Sequence, residues 1–143
     1  MPDHAPYRNF NFRVEIDGLP ETGFSEVVVP ETRIEVVEYR EGGDHTSGTR
    51  KLPGRAKVGN VVLRRGIDQD LSLWNWFRTV RDGDLERRNV AIVLLDATRA
   101  EVRRWAVQQA WPTAYTFGPL EGRGNEVVIE TLELACERVD AVT

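Results

Sequence analysis

Apolar and polar residues alternate strictly near the start of the chain: Phe10, Phe12, Val14 and Ile16 are interleaved with Asn11, Arg13, Glu15 and Asp17. A period of two puts one set on a buried face and the other in water, which predicts a strand closed by Gly18 and Pro20. A second segment begins near Phe24 and runs past Pro30 to Tyr39. Pro30 cannot donate to a strand ladder, so it predicts an edge, a bulge or a break between two pieces. Beyond it, Thr32, Ile34 and Val36 alternate with Glu31, Arg33 and Glu35, and then the apolar parity moves to Val37 and Tyr39. An inserted residue exchanges the faces of a strand, so this switch predicts a bulge.

The pattern then lapses. Between Arg40 and Val58 only Leu52 and Ala56 are apolar, among four glycines, one proline and a run of charges. This predicts a long loop over residues 40–57. Loops of such length in a compact domain are functional or disordered. Gly42 and Gly43 permit backbone angles that a side chain forbids, and Leu52, Pro53 and Gly54 read as an apolar residue followed by a turn. Such punctuation suits a loop that orders on contact with a partner better than a floppy hairpin tip. Alternation resumes at Val61 and Leu63, among Asn60, Arg64 and Arg65.

After Gly66 the period changes to that of a helix. Leu71, Trp74 and Phe77, with Leu73, Trp76 and Val80, form overlapping stripes over about residues 69–82; Asp68 or Asp70 can cap the first turn and Gly83 provides the stop. Leu71, Trp74, Phe77 and Val80 are the expected packing positions. Val90 to Leu95 is an unbroken apolar run, as in a strand covered on both faces. A turn at Asp96 to Arg99 leads into a strand with Trp105, Val107 and Trp111 on one face and Arg104, Gln108 and Ala110 on the other. Pro112 is expected to break or bend it before a short piece with Tyr115 and Phe117. Gly118 to Asn125 forms a second loop, and Val127 to Cys136 the last strand.

The chain has 143 residues, enough for one domain with its own core. Its net charge of −4 is unevenly spread: 5 basic and 10 acidic residues over 1–50, 12 and 7 over 51–104, and 2 and 6 over 105–143, or −5, +5 and −4. A basic middle between acidic ends suits copies that pair unlike surfaces and argues against a dedicated nucleic-acid binder. The single cysteine, Cys136, excludes an intrachain disulfide and reads as a small core residue on the apolar face of the last strand. No signal-like segment or membrane-length apolar run is present, so synthesis in the cytoplasm without Sec export and without a membrane anchor is expected.

Candidate chemistry is sparse. His4 and His45 lack metal-ligand companions, so no metal or cofactor is expected. Asp68 and Asp70 are accounted for by a helix cap and solvation. No serine lies in a GxSxG setting, and Gly118 to Gly124 lacks the Lys-Ser or Lys-Thr of a phosphate-binding loop. These absences argue against an enzyme. The four tryptophans allow a stacking site for a sugar or base, but they fall on predicted packing faces.

FSEV (Phe24 to Val27), EYREGG (Glu38 to Gly43), KLPG (Lys51 to Gly54), NVVLRRG (Asn60 to Gly66), the Trp-rich helix and EVVIETLELACE (Glu126 to Glu137) together resemble the tail-tube proteins of contractile phage tails and related injection particles. Order and spacing carry the resemblance over nearly the whole chain. It implies six-membered rings stacked into a hollow tube inside a contractile sheath. Its partners would be further copies, the sheath, baseplate or spike and tube-end proteins, and DNA or effector protein as cargo in the lumen. It also implies that the long loop helps join rings, with Tyr39, Arg40, Glu41, Gly42, Gly43, Asp44, Arg50, Lys51, Leu52, Pro53 and Gly54 as its contact residues. Two departures point to a divergent or tube-initiating paralogue as an alternative. Val28, Val29 and Pro30 stand where a glycine often follows FSEV, and Ala97, Thr98 and Arg99 lack the usual hairpin glycine.

The fold expected is mainly β, an antiparallel sandwich or barrel with one packed helix, because hairpins follow one another without strand-helix-strand alternation. The rival from another class is a monomeric β-barrel that binds a small ligand or sugar through its tryptophans.

Overall fold

The alternating N-terminal segment is strand β1 (Phe12–Ile16), with Val14 and Ile16 buried. The computed structural model describes residues 8, 11–21, 23–40, 42 and 48–142. Among them follow β2 (Glu26–Val28), β3 (Thr32–Tyr39), β4 (Arg50–Val58), β5 (Val61–Gly66), helix α1 (Ser72–Arg81), β6 (Arg88–Leu95), β7 (Glu101–Phe117), β8 (Ile129–Ala135) and β9 (Arg138–Val142). All strand pairs are antiparallel. One layer holds β1, β6, the first half of β7, and β9; the other holds the second half of β7, β8, β5 and β2. Val14, Val90, Ile92 and Val107 from the first layer, Val61, Leu63, Leu132 and Leu134 from the second, and Leu73 and Trp76 from α1 share one apolar cluster. The architecture is therefore the sandwich-like form of the two expected, not a closed barrel.

Strand β7 is the hinge between layers, and it departs from simple alternation twice. Arg88 pairs with Ala110 and Val90 with Val107, so Gln108 and Gln109 stand opposite the single Asn89. Gln109 takes φ 57° there, and its N–H donates to Asn89 Oδ1 at 3.2 Å. The bulge turns Ala110 inward, contrary to the face expected from sequence, so Val107 and Ala110 are both buried. A second shift, at Thr113, lies between Pro112 and Ala114. Pro112 thus sits beside a bulge in a continuous strand and does not break it.

The apolar run in β6 buries Val90 and Ile92 on one face and Val93 on the other, as expected of a strand covered on both sides. The turn after it does without glycine because Asp96 organises it. Asp96 Oδ1 accepts from Thr98 N–H (2.9 Å), Thr98 Oγ1 (2.6 Å) and Ala100 N–H (3.0 Å), while Arg99 holds φ 66°. The bond from Thr98 Oγ1 leads the interactions that hold the Asp96 carboxyl below its ordinary range.

Helix α1 is shorter than the expected 69–82, and the difference alters its packing. Asp70, just before it, accepts from Ser72 N–H (2.9 Å) and Ser72 Oγ (3.1 Å), and the N–H of Gly83, at φ 105°, closes the end on Val80 O. Leu71 consequently precedes the helix and is 60% exposed, so its assignment to the packing face is corrected. Trp74, Phe77 and Val80 are half-buried, and the core positions are Leu73 and Trp76. The last expected strand also changes: it begins at Ile129, leaving Val127 in the loop, and Arg138–Val142 adds β9, which the sequence reading lacked.

Candidate functional site

The largest revision falls on the expected loop 40–57. Arg50–Val58 is strand β4, paired along β3 from Thr32↔Val58 to Tyr39↔Arg50. Leu52, Pro53 and Gly54 form no turn but lie in this strand. Ile34 pairs with Ala56 and Val36 with Pro53, so Gly54 and Arg55 face the lone Glu35: the bulge is real but sits on the return strand. Parity in β3 is therefore unbroken. Ile34 and Val36 lie on one face of the ribbon, and Val37 and Tyr39 on the other, opposite Leu52 and Arg50. Gly54 is required by close approach, since a Cβ there would lie 2.9 Å from Val37 Cγ2 and 3.2 Å from Glu35 O. Poor overall apolar content hid this strand, because its partners are other exposed residues and not a core.

Nearly every residue of the ribbon is exposed, including Ile34 at 59% and Val36 at 63%. Pro30 is buried at its base, between β2 and β3 as the sequence predicted, and Gly59 N–H donates to Glu31 O at 2.9 Å. Lys57 and Glu35 pair across it at 2.6 Å. Of the candidate contact residues, Tyr39, Arg40, Gly42, Arg50, Lys51, Leu52, Pro53 and Gly54 are described and exposed; Glu41, Gly43, Asp44 and His45 lie outside the described residues, as does His4. A two-stranded ribbon with apolar residues on both faces is marginally stable at best when left alone in water. It is a surface suited to being covered.

A second feature escaped the sequence reading. Arg65 and Glu130 follow Leu63 and precede Leu132 on the core face of their strands and are buried there as an ion pair, Arg65 Nε donating to Glu130 Oε1. Tyr115 Oη donates to Glu130 Oε2 at 2.6 Å. On the other side, Arg65 reaches the Asp70 carboxylate (3.3 Å) and its backbone carbonyl (3.1 Å), and Asp70 in turn holds the start of α1. Burial alone would lower the Arg65 pKa, but its bonds to the Glu130 and Asp70 carboxylates, and their charge, outweigh it and keep the guanidinium charged. In Asp70 the bond from Ser72 N–H is the main cause of a lowered carboxyl pKa. The network anchors the helix to the second layer, and beside it Trp74, Phe77 and Tyr115 form one aromatic group with ring centroids 5.2–6.1 Å apart, Phe77 stacked on Tyr115 and Trp74 edge-on to it. This aromatic group is packing within the subunit, not an open cleft for a sugar. Cys136 is half-buried against the core, its thiol pushed up by burial.

Burial, and then the bond to Glu130, push the Tyr115 hydroxyl from 10.0 to about 12. The folded state therefore retains a proton that the unfolded chain loses above its ordinary value. The stabilising contribution is complete below pH 10.0 and is lost as pH rises through about 12. Denaturant titrations at pH 9 and at the alkaline end of that window should show a steeper loss of stability in the parent than in Tyr115→Phe; parallel losses would refute the coupling.

No curated sequence relative matches the chain significantly. Solved structures do. A chain of the six-fold symmetrised anti-feeding prophage baseplate matches with a TM-score of 0.85 and 25% identity, covering 98% of this chain and 97% of that one. A chain of the PVC extracellular contractile injection system sheath-tube complex in the extended state matches with a TM-score of 0.87 at 22% identity, over 97% and 93%. A chain of the anti-feeding prophage tube-terminating cap gives 0.88 at 21% identity, over 100% and 95%. The profile of the T4-like virus tail tube protein gp19 family matches residues 8–140, which span the sandwich, the helix and the ribbon, and the chain belongs to that family.

Proposed function

We infer that this protein is a structural subunit of the inner tube of a contractile phage tail or phage-like injection particle. Six-membered rings stack into a hollow tube that sheath contraction drives through a target envelope, and cargo, DNA or effector protein, passes along the lumen. The family match over residues 8–140 carries this reading. The protruding ribbon, with apolar side chains on both faces, supports it physically, since such a surface gains from burial only against another molecule. Sheath, baseplate or spike, and tube-end proteins are the partners. The part played is mechanical and draws on no catalytic group. Among the described residues no helix is long and apolar enough to cross a membrane.

A baseplate-proximal paralogue that initiates the tube is a second reading. It is favoured by the likeness to a baseplate chain and by Val28 and Val29, which are exposed at the departure from the family pattern after FSEV. Electron microscopy of purified protein separates the two: a main tube subunit forms rods at high concentration and an initiator stops at rings.

Gly54→Val tests the ribbon. The new side chain collides with Val37 Cγ2 and crowds the Glu35 carbonyl, so the pairing of β3 and β4 is disturbed at the bulge. Because the ribbon adds nothing to the core, the expected change in unfolding free energy is within about 0.5 kcal/mol, as for other surface positions. Rods should nevertheless disappear from micrographs. Rods of normal length from this variant would separate the ribbon from assembly.

A further inference from the structure

We propose that the ribbon of one copy docks into a cleft formed by residues 119–128 of another, joining copies head to tail. This rests on the tube-subunit reading and assigns its receiving surface. The two parts lie at opposite ends of the second layer. Strand β5 starts at Val61, just after the ribbon returns to the sheet at Gly59, and ends at Gly66, which pairs with Ile129 where the 119–128 loop rejoins the sheet. Ile67 N–H fixes that loop by donating to Val128 O at 2.9 Å. A protrusion at one end and a hollow at the other form a heterologous pair, which propagates instead of closing on itself when the copies are related by translation and a small twist.

The surfaces match in chemistry as well as in place. The cleft, about 690 Å³, is lined by Pro119, Leu120 and Val127 with Glu121 and Glu126; Leu120 is 70% and Val127 71% exposed. Arg123, the loop's one cation, does not line it. The ribbon face with Val37, Tyr39 and Leu52 carries Arg50 opposite Tyr39, and the one carboxylate among the described residues of that face, Glu35, is already paired with Lys57 at 2.6 Å. Among the described residues neither Glu121 nor Glu126, and not Arg50, has an ion-pair partner. An apolar strip with a basic margin thus faces an apolar hollow with an acidic rim. Pairing the two buries exposed apolar groups on both and places opposite charges at the edge, where they set register and exclude wrong alignments.

Charge exchange tests this on the full chain. Arg50→Glu alone and Glu121→Arg with Glu126→Arg should each lower the sedimentable rod fraction by about tenfold or more, while the three changes together restore it. Circular dichroism should show all variants folded. As an independent geometric test, Leu52→Cys with Leu120→Cys in a Cys136→Ser background should give a ladder of disulfide-linked copies on oxidation of rods. Rods unaffected by the charge variants, a combined variant no better than its parents, or a ladder missing from intact rods would overturn the proposal. Failure of the unmodified protein to form rings or rods at high concentration would instead bring down the tube-subunit reading and this inference with it.

Discussion

Trp76→Ala is expected to destabilise the domain by about 3–5 kcal/mol, a large part of the stability of an ordinary single domain. The indole is 2% exposed at the centre of the cluster shared by both layers, and its Nε1–H donates to Glu86 O at 2.7 Å. Truncation leaves a cavity that the sheets cannot close and strips a half-buried carbonyl of its donor. Trp74 supplies the contrast one turn face away. It is half-buried, tilted against Phe77 and edge-on to Tyr115, with Arg81 above it at 5.6 Å, so Trp74→Ala should cost about 1–2 kcal/mol. Chemical denaturation of both variants checks the order. Equal losses, or a larger one at Trp74, would contradict the packing described.

Glu130→Ala should cost about 3 kcal/mol for a different reason. It takes Glu130 from the buried Arg65 guanidinium, which keeps its bond to Asp70, and removes the acceptor of Tyr115 Oη. Losing one member of a buried ion pair is more damaging than losing the whole group, because the residual charge stays desolvated. Replacing the network together, with Arg65→Met, Glu130→Leu and Tyr115→Phe, should therefore recover much of the stability lost in the single variant. If the triple variant is less stable than Glu130→Ala, the ion pair contributes net stability beyond its own desolvation cost, and the expectation fails.

These two sites show where sequence patterning was informative. Val14, Ile16, Val61, Leu63, Leu132 and Leu134 were legible because each strand has one core face and keeps strict alternation. Ala110 was misplaced because Gln109 adopts a left-handed backbone without being glycine, which nothing in the local composition announces. Leu73 and Trp76 stood on a helical stripe indistinguishable from that of Leu71, Trp74 and Phe77; only the position of the helix start, set by Asp70 and Arg65, decides which stripe turns inward. The buried Arg65 and Glu130 looked like surface alternation, since a charged residue on a core face is legible only once its partner, 65 positions away, is known. The sequence marks the ribbon residues as a contact region but not as a strand, because a hairpin held by backbone pairing and covered by another molecule leaves no core signature.

Strand β7 has a mechanical consequence for a tube that is pushed. Its 17 residues span about 50 Å, and the same covalent segment belongs to both layers, paired with β6 and β9 along one part and with β8 along the other. Two sheets joined only by side-chain packing can slide past one another under load, since each small step exchanges one apolar contact for another. Here sliding would have to stretch a single backbone or peel it from three neighbours in succession. Axial force entering one layer is handed to the other through peptide bonds, and the two bulges that bend the strand act as fixed corners in that load path.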